Sequence, residues 1–450
     1  MFRCNGLSTS TRKYPITNDP TNNSRFAYVQ TRAIYHRRTT CRLCNSANVQ
    51  CVLQLEPTPP AEWYFPLDRA HEADQRFPLD LFLCRDCGHV QLFDVIDPVR
   101  LFARYMYTSG SSPGLDDHFK EYANTVVRNL GLRQHALAVD VGSNDGTLLR
   151  HFANYGLRVF GVDPAEDIAM AATIAGIPTL NAFMDKTSAR RIVAEVGKAQ
   201  LVTANNVFAH NDELGEMTEA IESILADDGV FVFEVSNLLD TIKGLVFDFI
   251  YHEHLCYHST KPMSAFLRRH GMELFDVARV ASKGGSLRGY AQKIGGPRPV
   301  STNVGNFIAK EEAAGLYDPS TYKHYIARVN SLREETLAYL QRRKAEGCVI
   351  AGYGASATVT TLLYHFQIGE LLDFIVDDNP IRHGTVSPGH HIPVLDPSAI
   401  YSRRPDLIVI LAWRFGKQII DKHREYLAAG GEFVVPLTSF EVIRGESVEG

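Results

Sequence analysis

Thirteen residues in the middle of the chain hold an unusual number of side chains that can carry a proton. Three histidines, two tyrosines and two acids lie between Phe247 and Ser259, as Asp248, Tyr251, His252, Glu253, His254, Tyr257 and His258. The charge of an imidazole changes near neutral pH and responds to small changes in its surroundings. This density of proton carriers indicates a site that removes or delivers a proton.

A second segment, about a hundred residues upstream, has the residues of a ligand-binding turn. Asp140 precedes Gly142, and Gly146 follows four residues later, after Asn144. A turn of this kind between a strand and a helix brings backbone N–H groups and small residues against a ligand. One predicted strand further on, Asp163 ends an apolar run, where a carboxylate can accept both hydroxyls of a ribose. The alternative interpretation is a tight structural turn.

The spacing of this turn, Asp-x-Gly-x-x-x-Gly, differs from the Gly-x-Gly-x-x-Gly of dinucleotide-binding folds. It resembles motif I of the class I S-adenosylmethionine methyltransferases, in which a cationic sulfonium takes the place of a pyrophosphate. Asn205 and Asn206 directly follow another predicted strand. That position lies at the carboxyl edge of the sheet, where ligands bind in open α/β folds. Both are candidates to contact cofactor or substrate.

A later glycine loop, Gly352-Tyr-Gly354, is closer to the dinucleotide form, and Asp377 and Asp378 end a strand downstream of it. A nicotinamide site is one interpretation. A lone loop of this type is weak evidence, however, and no hydride-transfer residues accompany it. The preferred interpretation is a degenerate nucleotide-binding fold that helps to hold substrate.

Four of the eight cysteines form two Cys-x-x-Cys pairs, which are Cys41 with Cys44 and Cys84 with Cys87. Two such pairs can place four thiolates tetrahedrally around Zn²⁺. Because four thiolates leave no open coordination position, the predicted ion is structural rather than catalytic. The alternative is a group of four buried, reduced cysteines.

Composition restricts the classes of protein that the chain can belong to. Its 450 residues are too many for one core and favour about three domains. A net charge of −5 argues against a nucleic-acid-binding surface. No apolar run reaches the roughly 20 residues that span a bilayer, and the first residues do not have the apolar stretch of a secretory signal. We therefore expect a cytoplasmic protein with no membrane or nucleic-acid partner; its oligomeric state is left open.

The order of predicted elements indicates an α/β protein. Short β-branched runs alternate with helical segments over residues 136–235 and again after residue 348, which predicts two parallel sheets with crossover helices. The predicted parts are a disordered extension or weak transit peptide over 1–40, a zinc-binding module over 41–100, a Rossmann-like methyltransferase domain over 101–300, a helical linker over 301–346 and a second Rossmann-like domain over 347–450.

The combination of motifs is more specific than any one of them. In order, the chain has the two cysteine pairs, Tyr105-Met-Tyr, Asp140-Val-Gly-Ser-Asn-Asp-Gly, Ala204-Asn-Asn-Val-Phe-Ala-His210, Tyr251-His-Glu-His254, Gly284-Gly-Ser-Leu-Arg288, Gly352-Tyr-Gly-Ala-Ser and Val376-Asp-Asp-Asn-Pro. This series resembles the sugar C-methyltransferases that act on nucleotide-linked 4-keto deoxysugars, typified by the tetronitrose C-3 methyltransferase. The resemblance covers nearly everything after residue 40.

The resemblance implies a role for each residue of the proton-carrying segment. His254 is the implied base, with Tyr251 and Glu253 beside it and with Tyr105 and His210 lining the same cleft. It also implies S-adenosylmethionine, a structural zinc ion and a nucleotide-sugar substrate that we expect to be dTDP-linked. In this chain Lys283 stands where the family has a histidine before Gly-Gly-Ser-Leu-Arg.

The chemistry that these residues suit is the methylation of carbon. A sugar carbon becomes nucleophilic only after it loses a proton, and a neighbouring ketone makes that proton removable as an enolate. His254 suits the base, and Tyr251, Tyr105 or His210 suits the donor to the enolate oxygen. Glu253 would orient an imidazole or bind the sugar. The alternatives are an O- or N-methyltransferase and an NAD-dependent oxidoreductase that uses the C-terminal loop.

Overall fold

The structure is a computed structural model that describes residues 34–102, 108–111 and 114–445.

Short antiparallel strands form the N-terminal module. The module contains β1 (Tyr35–Arg37), β2 (Val49–Leu53), β3 (Phe65–Pro66), β4 (Leu81–Cys84), β5 (Val90–Leu92), β6 (Asp94–Ile96) and helix α1 (Pro98–Phe102). β2, β4 and β5 are neighbours in one antiparallel sheet, and β1 pairs with β6. Two of the paired cysteines precede β2, and the other two lie at the end of β4 and in the turn after it.

A seven-stranded sheet forms the centre of the next part. The strands of this region are β7 (Leu137–Val141), β8 (Arg158–Asp163), β9 (Thr179–Asn181), β10 (Ala199–Asn205), β11 (Leu225–Ser236), β12 (Cys256–Tyr257), β13 (Met272–Val280) and β14 (Ser286–Lys293). The order across the sheet is β13-β14-β11-β10-β7-β8-β9. β7 to β11 are parallel, and β14 is antiparallel to both of its neighbours. All residues of β7 are buried, as expected for a parallel strand with helices on both faces.

Helices connect these strands and cover the sheet. They are α2 (Leu115–Leu130), α3 (Thr147–Asn154), α4 (Glu166–Ile174), α5 (Lys186–Val196), α6 (Leu214–Ile224), α7 (Leu238–Lys243) and α8 (Thr260–Arg269). Because β7, β8, β10 and β11 are parallel, their carboxyl ends share one edge of the sheet. The predicted cofactor residues all lie at or near this edge.

The remaining part begins with two helices and ends in a second sheet. Its helices are α9 (Thr302–Ala313), α10 (Pro319–Ala345), α11 (Ala357–Phe366), α12 (Ala399–Arg403), α13 (Gly416–Lys422) and α14 (Arg424–Ala428). Its strands are β15 (Ile350–Tyr353), β16 (Phe374–Val376), β17 (Thr385–Val386), β18 (Val394–Leu395), β19 (Leu407–Ile410), β20 (Glu432–Val435) and β21 (Glu441–Arg444). The sheet order is β18-β16-β15-β19-β20-β21, and only β21 within this sheet is antiparallel to its neighbour in the described residues.

Strand pairing joins the three parts of the chain to one another. β12 lies within the proton-carrying segment and pairs with β5, so a strand of the central part completes the sheet of the zinc module. β3 of the zinc module pairs with β17 of the C-terminal part. The described residues belong to one compact unit.

The predicted α/β class, with a zinc module before a methyltransferase domain, is confirmed. The segment predicted as a disordered extension needs a correction at its end, because Tyr35–Arg37 form β1 and pair with β6. Residues 1–33 lie outside the described residues. The segment predicted as a linker is packed, since Tyr322, Val329 and Leu340 of α10 are buried. The exact domain boundaries stay a prediction.

None of the helices in the described ranges is both long enough and apolar enough to cross a membrane.

Candidate active site

The four paired cysteines come together as the sequence predicts. Their sulfur atoms all lie within 4.8 Å of one another. The Sγ atoms of Cys41 and Cys87 are 3.7 Å apart, and those of Cys44 and Cys84 are 3.5 Å apart. A tetrahedral ion with Zn–S bonds of about 2.3 Å would hold its sulfurs about 3.8 Å apart. The donor set therefore fits a structural Zn²⁺ ion with four thiolate ligands.

The arginine inside the first cysteine pair connects this cluster to the central part. Arg42 is buried, and its Nε donates to Asp212 Oδ1 at 2.8 Å. Its Nη1 donates to the backbone carbonyls of Leu92 and Leu255, the latter at 3.4 Å. Asp212 lies two residues after His210, and Leu255 directly follows His254. One guanidinium group thus contacts the neighbours of both candidate histidines.

The glycine turn after β7 has the close approach that the sequence predicts. Gly142 has φ +69°, and a Cβ added there would lie 2.2 Å from Val207 Cγ2. Asn144 also has a positive φ, and its backbone N–H donates to Asp163 Oδ2 at 2.9 Å. The N–H of Ala165 donates to the other oxygen of Asp163, also at 2.9 Å. The carboxylate is thus fixed by the backbone and keeps lone pairs for ribose hydroxyls.

Asp140 lies beneath this turn rather than on its surface. It is buried, and its Oδ1 accepts a hydrogen bond from Thr203 Oγ1 at 2.6 Å. Burial raises the pKa of Asp140 to about 7; the Thr203 hydroxyl opposes this rise and the Asp163 carboxylate adds to it. The side chain joins β7 to β10 at the ligand-binding edge, and its direct contact with a cofactor stays a prediction.

The two asparagines after β10 differ in their surroundings. The amide nitrogen and oxygen of Asn205 are buried and have no hydrogen-bond partner among the described residues. Such groups are costly to bury unless a ligand or water satisfies them. Asn206 has φ +56° and lines a cavity together with His210 and His254. The edge of the sheet therefore offers unsatisfied polar groups where S-adenosylmethionine is predicted to bind.

Replacing Gly142 by alanine is expected to weaken binding of S-adenosylmethionine by roughly 10-fold or more, because the methyl group is strained at positive φ and overlaps Val207. Isothermal titration calorimetry measures the affinity. Gly176→Ala is the matched control: Gly176 has φ +90°, but an added Cβ meets no atom within 4 Å. The control should lose some stability and keep its affinity. Equal affinities for both variants would contradict the assignment of this turn to the cofactor.

His254 has a defined partner at each ring nitrogen. Its Nδ1 lies 2.8 Å from the backbone oxygen of Phe249, which can only accept a hydrogen bond. The proton of the neutral ring is therefore on Nδ1, and the lone pair is on Nε2. Tyr251 Oη lies 3.0 Å from that Nε2. The tautomer is thus set by Phe249, and the basic nitrogen faces Tyr251.

His254 and His210 lie together in a buried cavity. Their ring centroids are 5.0 Å apart, and the ring of Phe102 stacks on His210 at a centroid distance of 5.7 Å. Burial lowers the pKa of His254 to about 4, and the Lys283 charge lowers it further, against the raising effect of the Phe249 carbonyl. Burial also lowers the pKa of His210, with His254 and Lys283 adding to the effect. Both rings are neutral at pH 7, the form in which His254 can accept a proton.

Glu253 does not share this cavity. Its carboxylate oxygens are buried and have no hydrogen-bond partner among the described residues. The Phe249 carbonyl, rather than Glu253, accepts the Nδ1–H of His254. A role of Glu253 toward another imidazole or the sugar stays a prediction. Burial raises the pKa of Glu253 from 4.5 to about 8, and the negative charge of Glu62 in the zinc module adds to the rise. Its carboxyl group is therefore protonated at pH 7.

This buried carboxyl group should make stability depend on pH. The unfolded chain releases the proton near pH 4.5 and the folded chain near pH 8, so folding takes up a proton between these values. The stabilisation is complete below about pH 4.5 and is lost as pH rises through 8. Relative to Glu253→Gln, the native protein should therefore lose up to about 1.4 kcal/mol per pH unit across this window. Urea unfolding of both proteins at pH 5, 6, 7 and 8 measures this difference; a constant difference would contradict it.

A buried charge cluster was not predicted from the sequence. Glu234, at the end of β11, accepts hydrogen bonds from His118 at 2.8 Å, from Ser282 at 2.7 Å and from Arg288 at 2.8 Å. Burial raises the pKa of Glu234, but these three partners outweigh burial and lower the pKa to about 2. The cluster holds the loop that carries Lys283 against the end of the sheet. Arg288 in the Gly-Gly-Ser-Leu-Arg motif was the available signal, but its acidic partner is 54 residues away.

Tyr105, the remaining predicted catalytic residue, lies outside the described residues.

The acids predicted near the C-terminal glycine loop accept hydrogen bonds from residues of the same loop. Asp377 Oδ2 accepts from the backbone N–H of Ala355 at 2.5 Å, and Asp378 accepts from Tyr353 Oη at 3.0 Å. Nothing in this geometry favours the oxidoreductase alternative.

Three family models match successive parts of the chain. Residues 41–102 match a family described as a zinc binding domain, residues 116–277 match a methyltransferase domain, and residues 281–438 match a C-methyltransferase C-terminal domain. From the sequence alone, a nicotinamide site in the C-terminal part was one interpretation. The match shows that this part is a domain found in C-methyltransferases.

Relatives of known name lead to the same class of enzyme. The chain is 31% identical over 408 residues to the C-methyltransferase NovU of Streptomyces niveus, covering 90% of this chain and 97% of the relative. Solved structures are more distant. The CcbJ methyltransferase from Streptomyces caelestis matches 41% of this chain and 94% of its own, at 14% identity and TM-score 0.33. Magnesium protoporphyrin IX methyltransferase from Synechocystis PCC 6803 with bound SAM matches 39% and 79%, at 16% identity and TM-score 0.30. TM-scores this low support no functional conclusion.

The expectations of S-adenosylmethionine as the methyl donor and of a structural zinc ion are confirmed. The individual site residues other than the clustered cysteines stay predictions. The chain is 31% identical to NovU over 97% of that relative, and its three matched domains include a methyltransferase domain and a C-methyltransferase C-terminal domain. The chain belongs to the sugar C-methyltransferase family, whose members use S-adenosylmethionine.

Proposed function

We propose that the protein methylates C-3 of a nucleotide-linked 4-keto deoxysugar, and that His254 forms the reactive enolate. The observation that carries the proposal is the neutral imidazole of His254, which lines a cavity and has its lone pair on Nε2, beside the Tyr251 hydroxyl. A base in this state can take a proton from carbon without first losing one to water. The S-adenosylmethionine that the enzyme uses supplies an activated methyl group.

The electron flow follows from the ketone beside the reacting carbon. The C-3 proton moves to Nε2 of His254, and the electron pair of the C–H bond moves into the enolate, with negative charge on the ketone oxygen. S-adenosylmethionine, which the turn at Gly142 and the Asp163 carboxylate would hold, would supply the methyl group to the enolate carbon, and the electron pair of its S–C bond would remain on sulfur. Donors placed at the enolate oxygen stabilise the charge as it develops.

Tyr251 suits the role of that donor. Its hydroxyl lies 3.0 Å from Nε2 of His254, the same nitrogen that must receive the substrate proton. A bound substrate would therefore take the place of this hydroxyl at Nε2, and the Tyr251 O–H could then donate to the ketone oxygen. His210, stacked on His254, is a further candidate donor. The family resemblance adds Tyr105, which lies outside the described residues.

The substrate's nucleotide is expected to be dTDP. The acceptor is best identified with methyl-¹³C-labelled S-adenosylmethionine and a panel of dTDP-, UDP- and GDP-linked 4-keto deoxysugars. We expect the label on a sugar carbon adjacent to the ketone, as shown by carbon–carbon connectivity in ¹³C NMR. The matched control is the 4-hydroxy sugar nucleotide, which has no ketone and should not react. A labelled methyl group on oxygen or nitrogen would contradict the proposal and favour the O- or N-methyltransferase alternative.

The cytoplasmic location stays a prediction.

A further inference from the structure

We propose that Trp413 and Arg414 of the C-terminal part are positioning residues that set the orientation and tautomer of His254. The inference rests on the proposed function, in which His254 is the base. Neither residue touches His254. They act through the segment 247–250, which begins the proton-carrying stretch and ends directly before Tyr251.

The contact between the two parts is centred on a buried carboxylate. Asp248 is fully buried, and its Oδ2 accepts from Trp413 Nε1 at 2.9 Å. Arg414 Nη2 donates to the other oxygen of Asp248 at 2.9 Å, and Nη1 donates to Oδ2 at 3.3 Å. The guanidinium carbon of Arg414 also lies 4.1 Å from the ring centroid of Phe249. A two-pronged ion pair of this kind fixes direction as well as distance.

Helix α11 holds the two ends of the same segment. Phe247 stacks on Phe366 with ring centroids 5.2 Å apart and planes 10° apart. Thr361 Oγ1 donates to the backbone carbonyl of Ile250 at 2.7 Å. Each of the four residues 247–250 therefore contacts a side chain of the C-terminal part. The segment has no regular structure beyond a single 3₁₀ turn, so these contacts determine its conformation.

The backbone carbonyl of Phe249 transmits this arrangement to the base. It accepts the Nδ1–H of His254 at 2.8 Å, which leaves the lone pair on Nε2. If Asp248 and Phe249 were released, this carbonyl could turn and the ring could take the other tautomer, with its lone pair on Nδ1. Such a ring presents a proton instead of a lone pair to the substrate carbon. Small errors in the placement of a catalytic group cost about 100-fold in rate.

The test uses the full-length enzyme with Arg414→Lys and Trp413→Phe. Lysine keeps the charge but loses the planar pair of donors, and phenylalanine keeps the ring but loses the indole N–H. Trp63→Phe is the matched control, because Trp63 lies in the zinc module and is the only other tryptophan of the chain. We expect kcat to fall about 100-fold in Arg414→Lys and about 10-fold in Trp413→Phe. KM for the keto sugar and the affinity for S-adenosylmethionine should stay within about 2-fold.

A second readout needs no substrate and separates this inference from the proposed function. In protein labelled with ¹⁵N-histidine, the His254 signals are assigned by their absence in His254→Asn. The native protein should show protonated Nδ1 and unprotonated Nε2, and the two variants should show a mixture of tautomers. Variants that melt like the native protein and retain the native tautomer and kcat would overturn the inference. A lower kcat with an unchanged tautomer would overturn it as well. If no sugar is methylated by any form of the protein, only the proposed function fails, and the tautomer measurement still decides.

Discussion

Replacement of His254 by asparagine is expected to lower methyl transfer to carbon by about 10²- to 10⁴-fold, the usual contribution of a positioned general base. Asparagine keeps an N–H donor but cannot accept the proton. The more direct measurement is proton exchange at the carbon next to the ketone. With S-adenosylhomocysteine in place of the methyl donor, the native enzyme in D₂O should replace this proton by deuterium. The variant should not.

The control for this experiment comes from the same segment. His252 lies two residues before His254, but its Nε2 faces the backbone oxygen of Pro78 at 3.3 Å in the zinc module. His252→Asn should lose stability and keep the exchange reaction. Because burial lowers the pKa of His254 to about 4, exchange by the native enzyme should not slow through protonation of this base between pH 8 and about pH 5. Unchanged deuterium uptake by His254→Asn would remove this residue from the role of base.

Loss of one zinc ligand is expected to disrupt the N-terminal module. A structural zinc ion in a small domain contributes on the order of 10 kcal/mol to folding, since the site does not exist in the unfolded chain. Cys84→Ser should therefore reduce bound zinc from about one ion per chain to almost none and lower the melting temperature by about 10 °C or more. Mass spectrometry of the metal content and differential scanning calorimetry measure the two effects.

Cys51→Ser provides the matched control for the metal experiment. Cys51 lies on β2 of the same module, is exposed and does not belong to the cluster of four. It should keep the zinc content and the melting temperature of the native protein. A Cys84→Ser protein that still holds one zinc ion per chain would show that the four sulfurs are not the ligand set.

The features that were predictable from the sequence are those whose evidence is local. The glycine turn at 142–146 and the two cysteine pairs are each specified within a few residues. The alternation of buried strands and helices repeats over residues 136–235, and β16 ends at Val376, directly before Asp377 and Asp378, where the sequence predicts the end of a strand. Periodicity of this kind reports burial directly, since a parallel strand covered on both faces is apolar at every position.

The features that were not predictable depend on contacts between distant residues. Arg288 and Glu234 are 54 residues apart in sequence, and Arg414 and Asp248 are 166 apart. The direction of Glu253 was not predictable either, because it lies in a segment without the regular period that fixes which way a side chain points. Glu253 and His254 are neighbours in sequence but lie in different surroundings. The hydrogen-bond partner of the His254 imidazole is the backbone carbonyl of Phe249, which no sequence motif indicates.

Arg42 connects the cysteine cluster to the central part of the chain, outside the zinc module. This residue lies between two thiolate ligands, yet its guanidinium group holds Asp212 and the Leu255 carbonyl, next to the histidine pair. A thiol-reactive compound that ejects zinc would move this guanidinium and so inhibit methylation without entering the cleft. Oxidation of these cysteines is expected to lower turnover by the same route.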